Sequence, residues 1–152
     1  MGAYTGRDTT VEFAIAAEDA DPGTLVYKPL GMMRGKSMKV SWDTVDTTAD
    51  KSPDYTKTNL VTYKGFEFSG DGVSYTEEIH NQREFKGHAI SPGSATGNQP
   101  KVWIRMTDTI GGDSYEGPFI VNEYSDDRPH ADAATWSMSA MSNGGVVFTP
   151  GA

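Results

Sequence analysis

The stretch KSMKVSWDTVDTTADKSPDYTKTNL, residues 36–60, constrains the fold more than any other part of the chain. It opens with strict alternation, Met38, Val40 and Trp42 against Lys39, Ser41 and Asp43. That is the period-two pattern of a strand with one buried face, and it predicts a strand over 33–45. The sequence then turns polar over 44–59 before a second long strand, 60–73, in LVTYKGFEFSGDGV. There Val61 and Tyr63 share one parity and Phe66 and Phe68 the other. Such a switch needs one extra residue, so we place a β-bulge or sharp bend at Gly65. Both strands exceed the usual five or six residues.

Elsewhere the pattern is shorter. Val11, Phe13 and Ile15 alternate as a first strand, and TLVYKPL makes a second that Pro29 confines to an edge or an end. TEEIHNQREFKG, 76–87, reads as a helix with Thr76 as cap, Glu77 and Glu78 at its positive end and Gly87 just past its last turn. KVWIRMTD is a strand, IGGDS a hairpin turn into YEGPFIVNEYS, and Trp136, Met138 and Ala140 alternate with Ser137 and Ser139 before GGVVFTP. Six to eight strands with one short flanking helix give a mainly β sandwich or barrel, read as one domain over 1–152. Residues 1–9 form an N-terminal arm.

The 152 residues suffice for one core, and three Trp, seven Tyr and six Phe supply it, although only 36% of the chain is hydrophobic. Seventeen glycines and eight prolines fit many turns. A net charge of -8 argues against a basic stripe for nucleic acid and thus against specific binding of it. With no cysteine there is neither disulfide framework nor thiolate chemistry. No apolar run reaches the length of a membrane span.

Candidate chemistry is sparse. A Gly-x-Ser-x-Gly elbow is absent, and Gly70-Asp71-Gly72 lacks the third glycine and following helix of a phosphate loop. His80, His88 and His130 have no metal spacing and read as surface residues. EDADPG has Leu30 where a calcium loop needs its bidentate Glu, and Asp126, Asp127 and Asp132 of SDDRPHAD read as a solvated acidic turn. Neither a cofactor nor a catalytic group is called for, which favours a structural or binding protein.

In order along the chain, GRDTTVEFAI, LGMMRGKSMKVSWDTVDTTADKSPDY, GFEFSGDGV, GGDSYEGPFIVNEYS and DAATWSMSAMSNGGVVFTP resemble major tail proteins of the TP901-1 type, the tail-tube subunits of long-tailed bacteriophages and gene transfer agents. The resemblance implies a β-sandwich whose copies form hexameric rings, stacked into a tube in the virion tail after assembly in the host cytoplasm. It implies the tape-measure protein, the tail terminator and distal tail or baseplate proteins as partners, and non-specific passage of DNA. On that reading Met38, Val40, Trp42, Phe66, Phe68 and Trp136 belong to the core. Lys39, Ser41, Asp43, Glu67, Ser69 and Asp71 face the lumen. The polar loop, with Asp46, Asp50, Lys51, Asp54, Tyr55 and Lys57, reaches the next ring. Edges completed by identical neighbours would remove an aggregation hazard, and acids on the wall would repel phosphates by about 1 kcal/mol per close pair in water. The rival reading is a carbohydrate- or receptor-binding module with Trp42, Trp103 or Tyr124 as stacking platform. A tail terminator or distal tail protein is the nearer alternative.

Overall fold

The computed structural model describes residues 9–31, 33–46, 59–75 and 80–151. Eight strands and one α-helix are present among them: β1 Thr9–Ala14, β2 Lys28–Pro29, β3 Met33–Asp46, β4 Asn59–Val73, α1 Gln82–Ile90, β5 Lys101–Asp108, β6 Ser114–Asp127, β7 Thr135–Ser142 and β8 Val147–Thr149. All belong to one antiparallel sheet in the order β2-β1-β5-β6-β7-β4-β3, with β8 also on β6. Pro29 sits in an edge strand, as its missing N–H requires.

Strand β6 joins two wings. Its first half pairs with β5 and β8, its second with β7. Between the halves the register against β7 shifts at Val121/Glu123, leaving Asn122 as the extra residue, whose Oδ1 accepts from Ser139 Oγ at 2.9 Å. A bulge of this kind bends its strand. One core fills the space between the wings: Val11 and Phe13 from β1, Val102 and Ile104 from β5, Phe119 and Val121 from β6, Trp136, Met138 and Ala140 from β7, Phe68 from β4 and Phe85 from α1. Burying each large apolar side chain contributes about 1.5–3 kcal/mol. Phe85 meets Phe13 edge-on at 5.3 Å, and Tyr124 lies on Trp136. Across the open side, Lys36 Nζ donates to Thr9 O at 2.7 Å.

The helix differs from its expected span. Residues 76–79 lie outside those described, and α1 begins after Asn81, which is left-handed at φ 57 and makes no side-chain cap bond. Asparagine tolerates that conformation. Gly87 is inside the helix, not beyond it, because Phe85 and His88 on either side are anchored in the interior. His88 is therefore no surface residue: it is 7% exposed and its Nε2–H donates to Lys101 O at 2.8 Å. Gln82 ties three segments together. Its amide donates to Gly31 O and Val73 O, each at 2.9 Å, and accepts from Tyr75 N at 2.8 Å.

Candidate assembly and lumen surfaces

The β3–β4 hairpin is the longest feature of the fold and outruns its neighbour. Strand β7 pairs with β4 only from Glu67 to Val73, so the half of the hairpin beyond Val40 and Phe66 overhangs the sheet. The parity switch is real, but its seat is not Gly65, which pairs in register with Ser41. The register shifts between Trp42 and Thr44, whose partners are Lys64 and Val61, so the extra residue lies at 62–63. Val61 thereby joins Trp42 and Phe66 on one face.

The overhang corrects part of the expected core. Phe68 and Trp136 are buried, and Met38 and Phe66 are half-buried against the core. Val40 and Trp42 share their face but are each 49% exposed, since nothing described lies beneath them. Lys64 Nζ sits 5.4 Å from the Trp42 ring and 5.8 Å from Phe66. Val45, Leu60 and Tyr63 are exposed as well, so apolar groups meet solvent on both faces of one hairpin. Of the loop residues, Asp46 ends β3; Asp50, Lys51, Asp54, Tyr55 and Lys57 lie outside the described residues.

The opposite face of the second wing, formed by β3, β4, β7 and the latter half of β6, is polar and consists largely of small side chains. Lys39 stands opposite Glu67, Ser37 opposite Ser69, and Gly35 opposite Asp71. The ladder continues from Ser69 to Ser139 and from Asp71 to Ser137 on β7, then to Glu123 and Ser125 on β6. Ser41 and Asp43 extend the same face along β3. The six expected lumen residues thus fall on one surface, and Ser37, Ser137, Ser139, Ser125, Glu123 and Asp127 join them. Alternation of Ser137 and Ser139 with Trp136 and Met138 was the signal for the β7 part. Ser125 and Ser137 hydroxyls lie 3.0 Å apart, forming a low, hydroxyl-rich floor.

At the hairpin's base, Asp71 Oδ1 accepts from Gly35 N at 2.9 Å, where Arg34 is an extra residue in β3. A Cβ at Gly35 would collide with that carboxylate. The aromatic platforms of the binding-module reading are largely spent: Trp103 is buried with Nε1–H donating to Ala17 O at 2.8 Å, and Tyr124 is stacked on Trp136. Asp126 is engaged by Lys86 and Arg128. Among the described residues no group of three or more His, Cys, Asp or Glu is arranged to hold a metal, and no helix is long and apolar enough to cross a membrane.

No protein-family profile and no curated protein sequence matches this sequence. Its fold, in contrast, is shared along nearly its whole length. A subunit from the tail of an empty gene transfer agent particle, determined with C6 symmetry, superposes with a TM-score of 0.70 at 19% identity over 97% of this chain and 99% of that one. A subunit from the virion of a native gene transfer agent gives 0.71 at 18% identity, again over 97% and 99%. The tail-tube protein of SPP1 gives 0.67 at 10% identity over 97% of this chain and 80% of its own. The chain has the fold of tail-tube proteins.

Proposed function

We propose that this chain is the repeating subunit of a tail tube, a structural protein of the virion tail that assembles as stacked hexameric rings and conducts a genome without a catalytic step. The observation that carries this reading is the overhanging β3–β4 hairpin, with Val40, Trp42, Val45, Leu60, Val61 and Tyr63 between 48% and 77% exposed. Exposing contiguous apolar groups on both sides of a two-stranded ribbon is unfavourable in an isolated subunit. Copies of the chain that cover them recover part of about 1.5–3 kcal/mol for each side chain. The sixfold symmetry of a neighbour with the same fold supports rings of six.

The serine face supplies the lumen wall. Short hydroxyls offer a passing duplex no deep pocket, and Asp43, Glu67, Asp71, Glu123 and Asp127 against Lys39 leave the face net negative, so phosphates are repelled. The tape-measure protein fills the lumen before the genome does, while the terminator and the distal tail or baseplate proteins close the ends. Electron microscopy of the purified, concentrated protein tests the reading, alone and with tape-measure protein and tail initiator. Hollow tubes or six-fold rings are expected; a protein that stays monomeric with both present contradicts it.

Trp42 alone keeps the binding-module reading in play, because its indole is half exposed. A glycan titration that changes tryptophan fluorescence would favour that module. Copy number per particle separates a tube subunit, present in many rings, from a terminator present at one end.

A further inference from the structure

The chain has five asparagines, and Asn143 is the one followed by glycine, in SNGGV between β7 and β8. The backbone nitrogen after an asparagine can attack the side-chain carbonyl and close a five-membered imide, and a Cβ on the following residue obstructs the approach. Glycine removes the obstruction. Here the fold itself demands that glycine: Gly144 has φ 149, and a Cβ on it would lie 2.8 Å from Pro118 Cγ. A turn that needs Gly144 therefore carries a chemical liability at Asn143.

Hydrogen bonding leaves the reacting groups available. Asn143 N–H donates to Pro118 O at 2.9 Å, but the Asn143 side-chain amide and the Gly144 N–H have no hydrogen-bond partner among the described residues. Asn143 is half-buried and Gly144 and Gly145 are exposed, so water reaches the turn. Comparable groups elsewhere are held. Asn81 donates its side-chain amide to Pro29 O, and Asn122 Oδ1 accepts from Ser139. Asp71 precedes Gly72, yet its Oδ1 accepts from Gly35 N at 2.9 Å, and Gly72 lies in the ladder between Met33 and Trp136.

We propose that Asn143 is a site of spontaneous deamidation and that its isoaspartate product loosens β8 from β6. The Gly144 nitrogen gives up its proton and bonds to Cγ of Asn143; the Cγ–Nδ2 bond breaks and ammonia leaves. Water then opens the imide. Addition at Cγ yields aspartate, whereas addition at the main-chain carbonyl carbon leaves Gly144 bonded to Cγ, so the backbone runs through Cβ and gains an atom. Nothing is oxidised or reduced, and either product adds a negative charge at neutral pH. The chemistry does not depend on the tube reading.

The longer backbone falls on a weakly held element. Strand β8 is three residues long and is paired to β6 alone among the described strands, with Phe148 against Tyr115 at 5.2 Å. In the same connection Val146 lies against Gly117, where a Cβ would come within 2.8 Å of it. Lengthening the link moves Val146 and Phe148 off these seats.

The test ages the folded chain at mildly acidic and mildly alkaline pH and maps it by mass spectrometry with fragmentation that separates isoaspartate from aspartate. The peptide holding Asn143 should become about 1 Da heavier, and do so at least about tenfold faster than those holding Asn59, Asn81, Asn98 or Asn122. Alkaline pH should speed the change, because attack needs the deprotonated nitrogen. Hydrogen exchange on the aged sample should show amides within 147–149 at least about tenfold less protected, with the other strands unchanged. Freshly purified Asn143→Asp, which adds the charge without lengthening the backbone, should keep that protection; Asn143→Gln, which would need a six-membered ring, should stay unmodified. An Asn143 that remains intact in the folded chain while a urea-unfolded sample reacts there overturns the site. Isoaspartate at 143 with 147–149 still protected overturns the loosening. For variants that do not fold, the wild-type ageing series decides both points alone.

Discussion

Lys39 and Glu67 face each other directly across β3 and β4, in the middle of a surface otherwise made of serines and acids. Lys39→Glu sets like charges in register, which costs about 0.2–1 kcal/mol in such a pair. Urea unfolding of the free subunit should therefore move little. Assembly should suffer far more, because each ring repeats the change. A sedimentation assay is expected to show tubes lost at low ionic strength and partly restored near 1 M salt, where screening shortens to about 3 Å.

Trp42→Ala separates folding from assembly. The indole is 49% exposed in the subunit, so its removal should lower stability by less than about 1.5 kcal/mol, well below the cost of truncating a buried aromatic. Tube formation is expected to fail or to need a much higher protein concentration. Denaturant melts beside light scattering check both halves.

Gln82→Ala is the converse case, a stability defect at a residue that carries no chemistry. It strands Tyr75 N–H, Gly31 O and Val73 O, and a buried polar group left unpaired costs about 1–3 kcal/mol. A loss of about 2–4 kcal/mol is expected. Gln82→Glu keeps the acceptor for Tyr75 but turns a carboxylate toward two carbonyls. Its folded state favours the protonated acid, so the variant should be more stable near pH 4 than at pH 7, opposite to the usual carboxylate.

Alkaline pH should weaken the fold through two tyrosines. Burial raises the Tyr27 phenol well above its ordinary value, with further contributions from Glu116, which accepts its hydrogen bond at 2.7 Å, while Arg105 beneath the ring opposes them. Burial, with Asp126 nearby, pushes Tyr124 up to about 12. Both groups stay protonated in the folded chain after the unfolded chain has ionised near pH 10. Their contribution is complete below pH 10 and is lost as pH rises toward 12. Melting temperatures from pH 8 to 12 should fall above 10, and Tyr27→Phe should flatten part of that fall.

The sequence made the alternating strands legible because their period survives burial on one face only: β3, β4 and β7 fall close to where Met38, Phe68 and Trp136 place them. Parity also revealed that an extra residue exists in β4. It misplaced the residue at Gly65 because glycine signals conformational freedom, whereas the register is set by what lies across the ladder. The helix start was hidden for a related reason. Asn81 in a left-handed conformation and the three bonds of Gln82 are tertiary facts that Thr76 and Gly87, good local signals, do not contain. Val40 and Trp42 read as core because pattern reports which face a residue is on, not how far the layer beneath it extends. The β6 share of the serine face stayed out of sight because Asn122 breaks its alternation.

The most direct test is a helical reconstruction of the assembled tubes at side-chain resolution. In the proposed tube, six four-stranded wings side by side would make a wall of about 24 strands; at about 4.8 Å spacing and a tilt of about 40°, its backbone diameter would be about 48 Å, leaving about 38 Å clear. The expected map shows a hollow tube with Ser69, Ser139 and Glu67 toward the axis and α1 outside. A map with those serines on the exterior, or particles without a continuous channel, would contradict the account.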